Sequence, residues 1–100
     1  MEEKEFVSVK NDRKDNKPMW ELLPLTVLEE VVKVYTFGAK KYGANRWQNL
    51  PDAKERYKAA MLRHLVELDK GNMTDRESGL HHAAHMVWNA IAILYFYLKK

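Results

Sequence analysis

Residues 86–98 read MVWNAIAILYFYL, and Asn89 is the one strongly polar side chain among them. A helix built from this stretch is apolar on nearly every side, so nearly every side has to be covered. The stretch falls short of the roughly 18 or more apolar residues that a membrane span requires, which leaves protein as the cover. A chain of 100 residues has enough further helix for one modest core, and the simplest source of the remaining cover is a second copy. The expectation is an all-α fold: a small bundle of three main helices, completed by homo-oligomerisation into a homodimer or a larger assembly.

The rest of the chain fits that frame. Pro24 opens a first helix to about Tyr42, with Leu25, Leu28, Val32, Tyr35, Ala39 and Tyr42 as one apolar stripe and Gly43 as its stop. Val34 and Phe37 lie off this stripe, so a second side of the helix is expected to be covered. Gly38 within it costs about 1 kcal/mol relative to Ala and marks a close approach by another backbone or a ligand. After the loop GANRWQNLPD, Pro51 opens a second helix to about Lys70, with Tyr57, Met61, Leu65 and Leu68 on its core face. The turn-rich GNMTDRESG connects to a third helix, expected to start between Asp75 and Gly79 with Leu80, Ala83, Val87, Ile91, Leu94 and Leu98 as its core stripe. Residues 1–16 read as a polar arm with at most a short strand around Phe6, Val7 and Val9. Residues 17–100 read as a single helical domain.

Composition removes several function classes. There is no cysteine, which excludes disulfides, thiolate metal sites and thiol catalysis. The N-terminal MEEKEFVSVK is too charged for a signal peptide, so a cytoplasmic setting is expected. A net charge of +3 is well below the footprint of a dedicated nucleic-acid binder. GxxxxGK[ST], a dinucleotide-binding glycine fingerprint, HExxH and an adjacent His-Asp pair are all absent.

The chemistry-bearing residues concentrate in DRESGLHHAAHMVWNA, residues 75–90. At about 100° per residue, His81, His82, His85 and Asn89 share roughly a quarter of a helix, away from the stripe that starts at Leu80. No Lys, Glu or Arg interrupts them, as on the wall of a polar cavity, although surface or hydrogen-bonded core histidines fit the same pattern. His82 and His85, at i and i+3, can point to one place and suit a metal. Asp75 and Glu77 fall at the expected helix start, where acids either satisfy free N–H groups or hold a hard cation beside a phosphate. On the second helix Arg56, Arg63, His64 and Glu67 form either a phosphate and cation site or an ion-paired surface. On the first, Glu29 and Lys33 make an i,i+4 pair. FGAKKYGANRW joins Lys40, Lys41, Tyr42, Arg46 and Trp47: cations for phosphate oxygens and rings for a base, or lysines that merely complement a helix C-terminus.

Taken in order, KPMWELLP, FGAKKYG with a following Trp, RHL, DRESG and HAAHMVWNA resemble the largely phage-encoded dATP/dGTP diphosphohydrolase N-terminal domain family, from residue 17 to about 95. The resemblance implies hydrolysis of a purine deoxynucleoside triphosphate to its monophosphate and pyrophosphate. It also implies the setting of the helical, Mg²⁺-dependent, MazG-like pyrophosphohydrolases. Glu29 and Glu30 match the first two acids of the MazG motif EExxE, with Lys33 at the third, and Glu67 and Asp69 stand two apart where that class has ExxD. The implied cofactor is Mg²⁺, with Mn²⁺ as the alternative, held among Asp75, Glu77, Glu67 and Glu29. Glu77, His82, His85 or His64 would take the proton of a water attacking the α-phosphorus. Lys40, Lys41 and Arg63 would neutralise phosphate charge, with Lys17 as a further substrate contact. Trp20, Tyr42 or Trp47 would stack on the purine, and Asn45 or Asn89 would read its edge; His81 is left as a bystander. Two other readings stay open: a non-catalytic helical module that binds a nucleotide or a phage partner, and a His-rich protein holding Zn, Mn or Fe. No membrane partner is expected.

Overall fold

The computed structural model describes residues 16–99, so the expected arm and its short strand, apart from Asn16, lie outside the described residues. Three α-helices are present: α1 (Leu25–Tyr42), α2 (Ala53–Asp69) and α3 (His82–Leu98). Short 3₁₀ turns span Trp20–Leu22 and Arg46–Asn49, and there is no strand among the described residues. No described helix is long and apolar enough to cross a membrane.

The helix ends follow from local chemistry. The Pro24 carbonyl accepts the N–H groups of Val27 and Leu28, both at 3.0 Å, and α1 starts there. Gly43, at φ +104°, ends it while its N–H donates to the Ala39 carbonyl. An L side chain at this φ is strained, and a Cβ here would also meet Arg46 Cγ at 3.1 Å. Asn45 then turns through the left-handed region, which asparagine tolerates, and delivers Trp47 beneath the helices.

Trp47 sits at the centre of an aromatic cluster. Its ring lies 4.9 Å from Tyr95, 5.7 Å from Trp88, 6.1 Å from Tyr35 and 6.3 Å from Phe96, all edge-on. Tyr57 packs edge-on against Trp88 at 5.1 Å, and its hydroxyl donates to the Trp47 carbonyl at 2.9 Å. The Tyr95 hydroxyl donates to Gln48 Oε1 at 3.1 Å. Each ring buries a large apolar area in a preferred edge-to-face geometry, so this cluster joins α1, the 3₁₀ turn, α2 and α3.

The buried faces differ from those the periodicity predicts. On α1 the buried residues are Val31 and Val34, whereas Leu25, Val32 and Tyr42 of the expected stripe are exposed. Covering the Val34 side matches the expectation of a second covered face. On α2, Tyr57, Met61 and Leu68 are half-buried as expected, while Leu65 is exposed. The largest correction concerns α3, which buries His82, Ala84, Asn89 and Ala92 and leaves Val87, Leu94 and Leu98 of the expected core stripe exposed. The inner face is the His/Asn face. Ala84 and Ala92 let neighbouring backbone come close, Trp88 has aromatic partners on α1 and α2, and the imidazoles find hydrogen bonds there. Periodicity detects an apolar stripe but not which of two near-apolar faces has the better partners. Gly38 faces open space within the chain, since a Cβ placed on it would meet nothing within 4 Å. The expected close approach is therefore not made by this chain's own backbone.

The third helix also starts later than expected. Asp75 and Glu77 do not lie on it. Residues 73–82 form a closed loop instead: His82 N–H donates to the Met73 carbonyl, Asp75 N–H to Leu80, and Gly79 N–H to Asp75. Thr74 and His81 pair as an antiparallel bridge. Gly79, at φ +74°, supplies the left-handed residue that closes the turn. His81 is the N-cap of α3, its Nδ1 accepting the Ala83 N–H at 2.9 Å.

Trp47→Ala is expected to lower stability by roughly 3 kcal/mol, as for removal of a packed aromatic side chain. Trp20, 75% exposed, should tolerate the same change within about 0.5 kcal/mol. Urea unfolding followed by far-UV circular dichroism checks both.

Candidate functional site

The buried His/Asn face of α3 meets α2 through two imidazoles. His82, 5% exposed, presents Nδ1 to Nδ1 of His64 at 2.7 Å. The pair needs one ring to carry a proton on Nδ1 and the other to offer a lone pair. Burial, followed by the neighbouring His85 and His82, pushes His64 down to about 4, so it is neutral at pH 7. His85, one turn further along α3, stacks on the His64 ring at 4.6 Å, and burial lowers its pKa too, against the pull of Asp75.

The closed loop brings the acids. Asp75 Oδ2 accepts the Ser78 N–H at 2.9 Å and stands 4.0 Å from His85 Nε2. Ser78 Oγ bonds that same Nε2 at 2.8 Å and accepts the Leu80 N–H at 3.1 Å. Burial alone would raise Asp75, but the hydrogen bonds from Ser78 and the adjacent His85 and His64 hold it below the usual carboxylate value. Glu77 reaches across to α1 and pairs with Lys41, a bond that raises the lysine pKa. Lys41 Nζ also lies 4.9 Å from the centre of the Tyr42 ring. The last turn of α1 is thereby tied to the loop.

His64, His82, Asp75 and Glu77 line one open cleft of about 770 Å³, within the roughly 300–1,000 Å³ range of small-molecule sites. Its wall includes Tyr42 from α1, Arg63, His64 and Glu67 from α2, Asp75 and Glu77 from the loop, and His82. A second hollow of about 800 Å³ shares Glu67, Asp75 and His82 with the first. Within it, Asn72 Nδ2 donates to Glu67 Oε1 at 2.8 Å.

Among the described residues, His64, Asp75 and His82 are the group whose potential ligand atoms all lie within 4.8 Å of one another. Their donors are two imidazole nitrogens and a carboxylate oxygen, a set able to hold a divalent metal ion. The acids expected to hold a cation divide: Asp75, Glu77 and Glu67 line the cleft, and Glu29 does not.

The other expected substrate contacts scatter. Tyr42 is exposed at the cleft, while Trp47 is packed inside the aromatic cluster. Lys17, Trp20 and Lys40 are exposed and outside the cleft wall, and Asn45 is in the left-handed turn before the 3₁₀ segment. Asn89 is 4% exposed, with Oδ1 lacking a hydrogen-bond partner among the described residues. Ser78 and His81 carry structural roles that sequence reasoning did not assign. The signal for Ser78 is the spacing DRES followed by Gly79, in which an Asp side chain accepts an N–H three residues on. His81 gave none, because histidine is not a favoured N-cap.

A family profile described as "dATP/dGTP diphosphohydrolase, N-terminal" matches residues 8–100. The chain belongs to this family. A curated relative, the dATP/dGTP diphosphohydrolase of Salmonella phage PMBT28, is 51% identical over 57 residues, which is 57% of this chain and 19% of that protein. The matched segment thus spans about a fifth of the relative's length. No solved structure matches the chain. The family's name denotes a hydrolase.

The depressed histidines set a pH dependence for folding in chelator-treated buffer. His64 has its ordinary pKa of 6.5 in the unfolded chain and about 4 in the folded one, so between these values the unfolded chain binds more protons. Stability is fully present above about pH 6.5 and is expected to fall as pH drops toward 4, with Asp75 adding further loss only below its own ordinary range. Urea midpoints at pH 8, 6.5 and 5 measure this, and His64→Gln should flatten the slope.

Proposed function

We propose that this chain carries the nucleotide site of a cytoplasmic deoxynucleoside triphosphate pyrophosphohydrolase, which cleaves dATP or dGTP to the monophosphate and pyrophosphate. The observation that carries the reading is the convergence of Arg63, His64, Glu67, Asp75, Glu77, His82 and Tyr42 on one open cleft. The family match supports the reaction class.

A triphosphate is a polyanion, and the cleft offers it fixed cations. Arg63 stands on the wall, and its planar fork suits bidentate contact with phosphate oxygens. Lys41 is held beside the cleft by Glu77 and can transfer its charge to the leaving pyrophosphate as that charge develops. The exposed face of Tyr42 stacks on the purine. Glu77, exposed on the wall, takes the proton of the water that attacks the α-phosphorus, a role open to a carboxylate within hydrogen-bond reach. His85 and Ser78 hold Asp75 in place behind it. A divalent cation, Mg²⁺ through Asp75 and Glu67 or Mn²⁺ with the imidazoles as well, would neutralise phosphate charge and acidify water when bound.

Homo-oligomerisation belongs to the same proposal. No large side chain is fully buried among the described residues, and Val87, Leu94 and Leu98 point outward along α3 with exposures of 44%, 55% and 68%. A second copy laid on this face supplies the cover that a helix apolar all round requires. Light scattering after size exclusion is expected to give a dimer or larger species for the chain and a monomer for Leu94→Glu. A monomeric parent at micromolar concentration would count against it.

The activity is tested by incubating the purified chain with each deoxynucleoside triphosphate and Mg²⁺ or Mn²⁺, reading pyrophosphate release. dATP and dGTP are expected to turn over faster than the pyrimidine substrates. Arg63→Ala and Glu77→Gln should each lower kcat/KM by roughly a hundredfold, and chelation should abolish turnover. One observation favours a binding-only module: Glu29, half of the MazG-like acid pair, stands away from the cleft. Purine nucleotide binding without pyrophosphate release would select that alternative.

A further inference from the structure

We infer that the chain binds one divalent transition-metal ion, of the Mn²⁺, Fe²⁺ or Zn²⁺ class and in preference to Mg²⁺, through His64 Nδ1, His82 Nδ1 and a carboxylate oxygen of Asp75. The ion's role in catalysis rests on the hydrolase reading, but its binding does not.

Two imidazole nitrogens and one carboxylate oxygen converge within 4.8 Å. Mg²⁺ takes oxygen ligands in a near-ideal octahedron and gives up its waters reluctantly, so two nitrogen donors at the point of convergence suit it poorly. Borderline transition ions accept imidazole readily. Two histidines and one acid, with a position left open for water or substrate, form the ligand set of one class of catalytic zinc sites.

The histidine pair is close to what an ion needs, and the carboxylate oxygen, within 4.8 Å, has to close in on it. The two Nδ1 atoms face each other at 2.7 Å. Nitrogens about 2.0–2.1 Å from a tetrahedral ion stand about 3.3–3.4 Å apart, so the rings must part by about 0.6–0.7 Å. The single proton between them can move to Nε2 of its own ring, which leaves both Nδ1 lone pairs for the ion. The ligands come from three separate segments, α2, the closed loop and α3, so the ion also fastens the loop to the helix pair.

The surroundings have the form of a supporting layer. The Ser78 N–H occupies Oδ2 of Asp75, and a carboxylate has a second oxygen to offer an ion. His85 stands 4.0 Å from the same Oδ2 and is itself held by Ser78 Oγ. His85 is thus a positioning residue for the Asp75 ligand, the kind of outer partner whose loss costs about 10–100-fold in metal affinity. The cleft gives an entry path, since His64, Asp75 and His82 all line it.

The test reads metal directly. The full chain is stripped with a chelator and titrated with Zn²⁺, Mn²⁺, Co²⁺ or Mg²⁺ alone, with calorimetry and thermal melting as readouts and nucleotide absent. About one Zn²⁺ or Mn²⁺ per chain, a raised Tm, and visible d–d bands of nitrogen-ligated Co²⁺ are expected. Mg²⁺ should bind at least a hundredfold more weakly than Zn²⁺. His64→Ala should abolish binding, Asp75→Asn should weaken it with the fold kept, and His85→Gln should weaken it about 10–100-fold. Because His82 is buried and its variants risk unfolding, the Co²⁺ spectrum of the unmodified chain carries the ligand assignment. Stoichiometric Mg²⁺ binding as tight as Zn²⁺, no ion bound, or full binding by His64→Ala would each overturn the inference. Tight transition-metal binding without turnover of any deoxynucleoside triphosphate would overturn the hydrolase reading and leave this one standing. Mg²⁺-supported turnover with no ion bound at the histidines would do the reverse.

Discussion

Two imidazoles that face each other across the α2–α3 contact, Nδ1 to Nδ1 at 2.7 Å, set how the chain is arranged. A buried polar ring without a partner costs free energy, and His82 is 5% exposed. Only one rotation of α3 about its axis lets His82 meet His64. That rotation also turns Asn89 and Ala92 inward and sends Val87, Leu94 and Leu98 out. Once α3 is set in this way, the residues just before it must double back, because His82 N–H is committed to the Met73 carbonyl. The loop that places Asp75 beside the imidazoles follows from the same pairing.

The two ends of α3 do different work. Its last turns carry Tyr95 and Phe96, which with Trp88 and Trp47 join the helices through edge-on ring contacts. Its first turns carry the polar site, His82 lying about 20 Å from Tyr95 along the axis at 1.5 Å per residue, with Trp88 between them. Separation of this kind protects the site's geometry: the aromatic cluster supplies apolar burial, so the polar end can keep desolvated imidazoles and an open cleft. Lys41 extends the arrangement to α1, where a cation in the last helical turn complements the dipole and reaches Glu77 on the loop.

The buried apolar side chains are small, namely Val31, Val34, Ala53, Ala84 and Ala92, while larger ones sit on the surface. Ordinarily a domain hides its largest apolar residues first.

Pro24 and Gly43 mark the ends of α1 because the proline ring fixes φ at one end and glycine takes φ +104° without strain at the other. The all-helical architecture, the role of MVWNAIAILYFYL as the most heavily apolar element, and the family resemblance were likewise legible in the sequence. The start of α3 was not, because acids that favour a helix N-terminus also favour a turn, and only the Thr74–His81 pairing chose between them. Nor was the inward face of α3: both of its faces are apolar enough to bury, and the choice rests on partners more than fifteen residues away, His64 and Tyr57 among them. The sequence by itself determined that Asp75, Glu77, His81, His82, His85 and Asn89 crowd into one short stretch around a helix start. The tertiary structure alone decided that His64 joins them, that Glu29 does not, and that Trp47 packs in the aromatic cluster, because those facts depend on how α1 and α2 are rotated against α3, which no local propensity encodes.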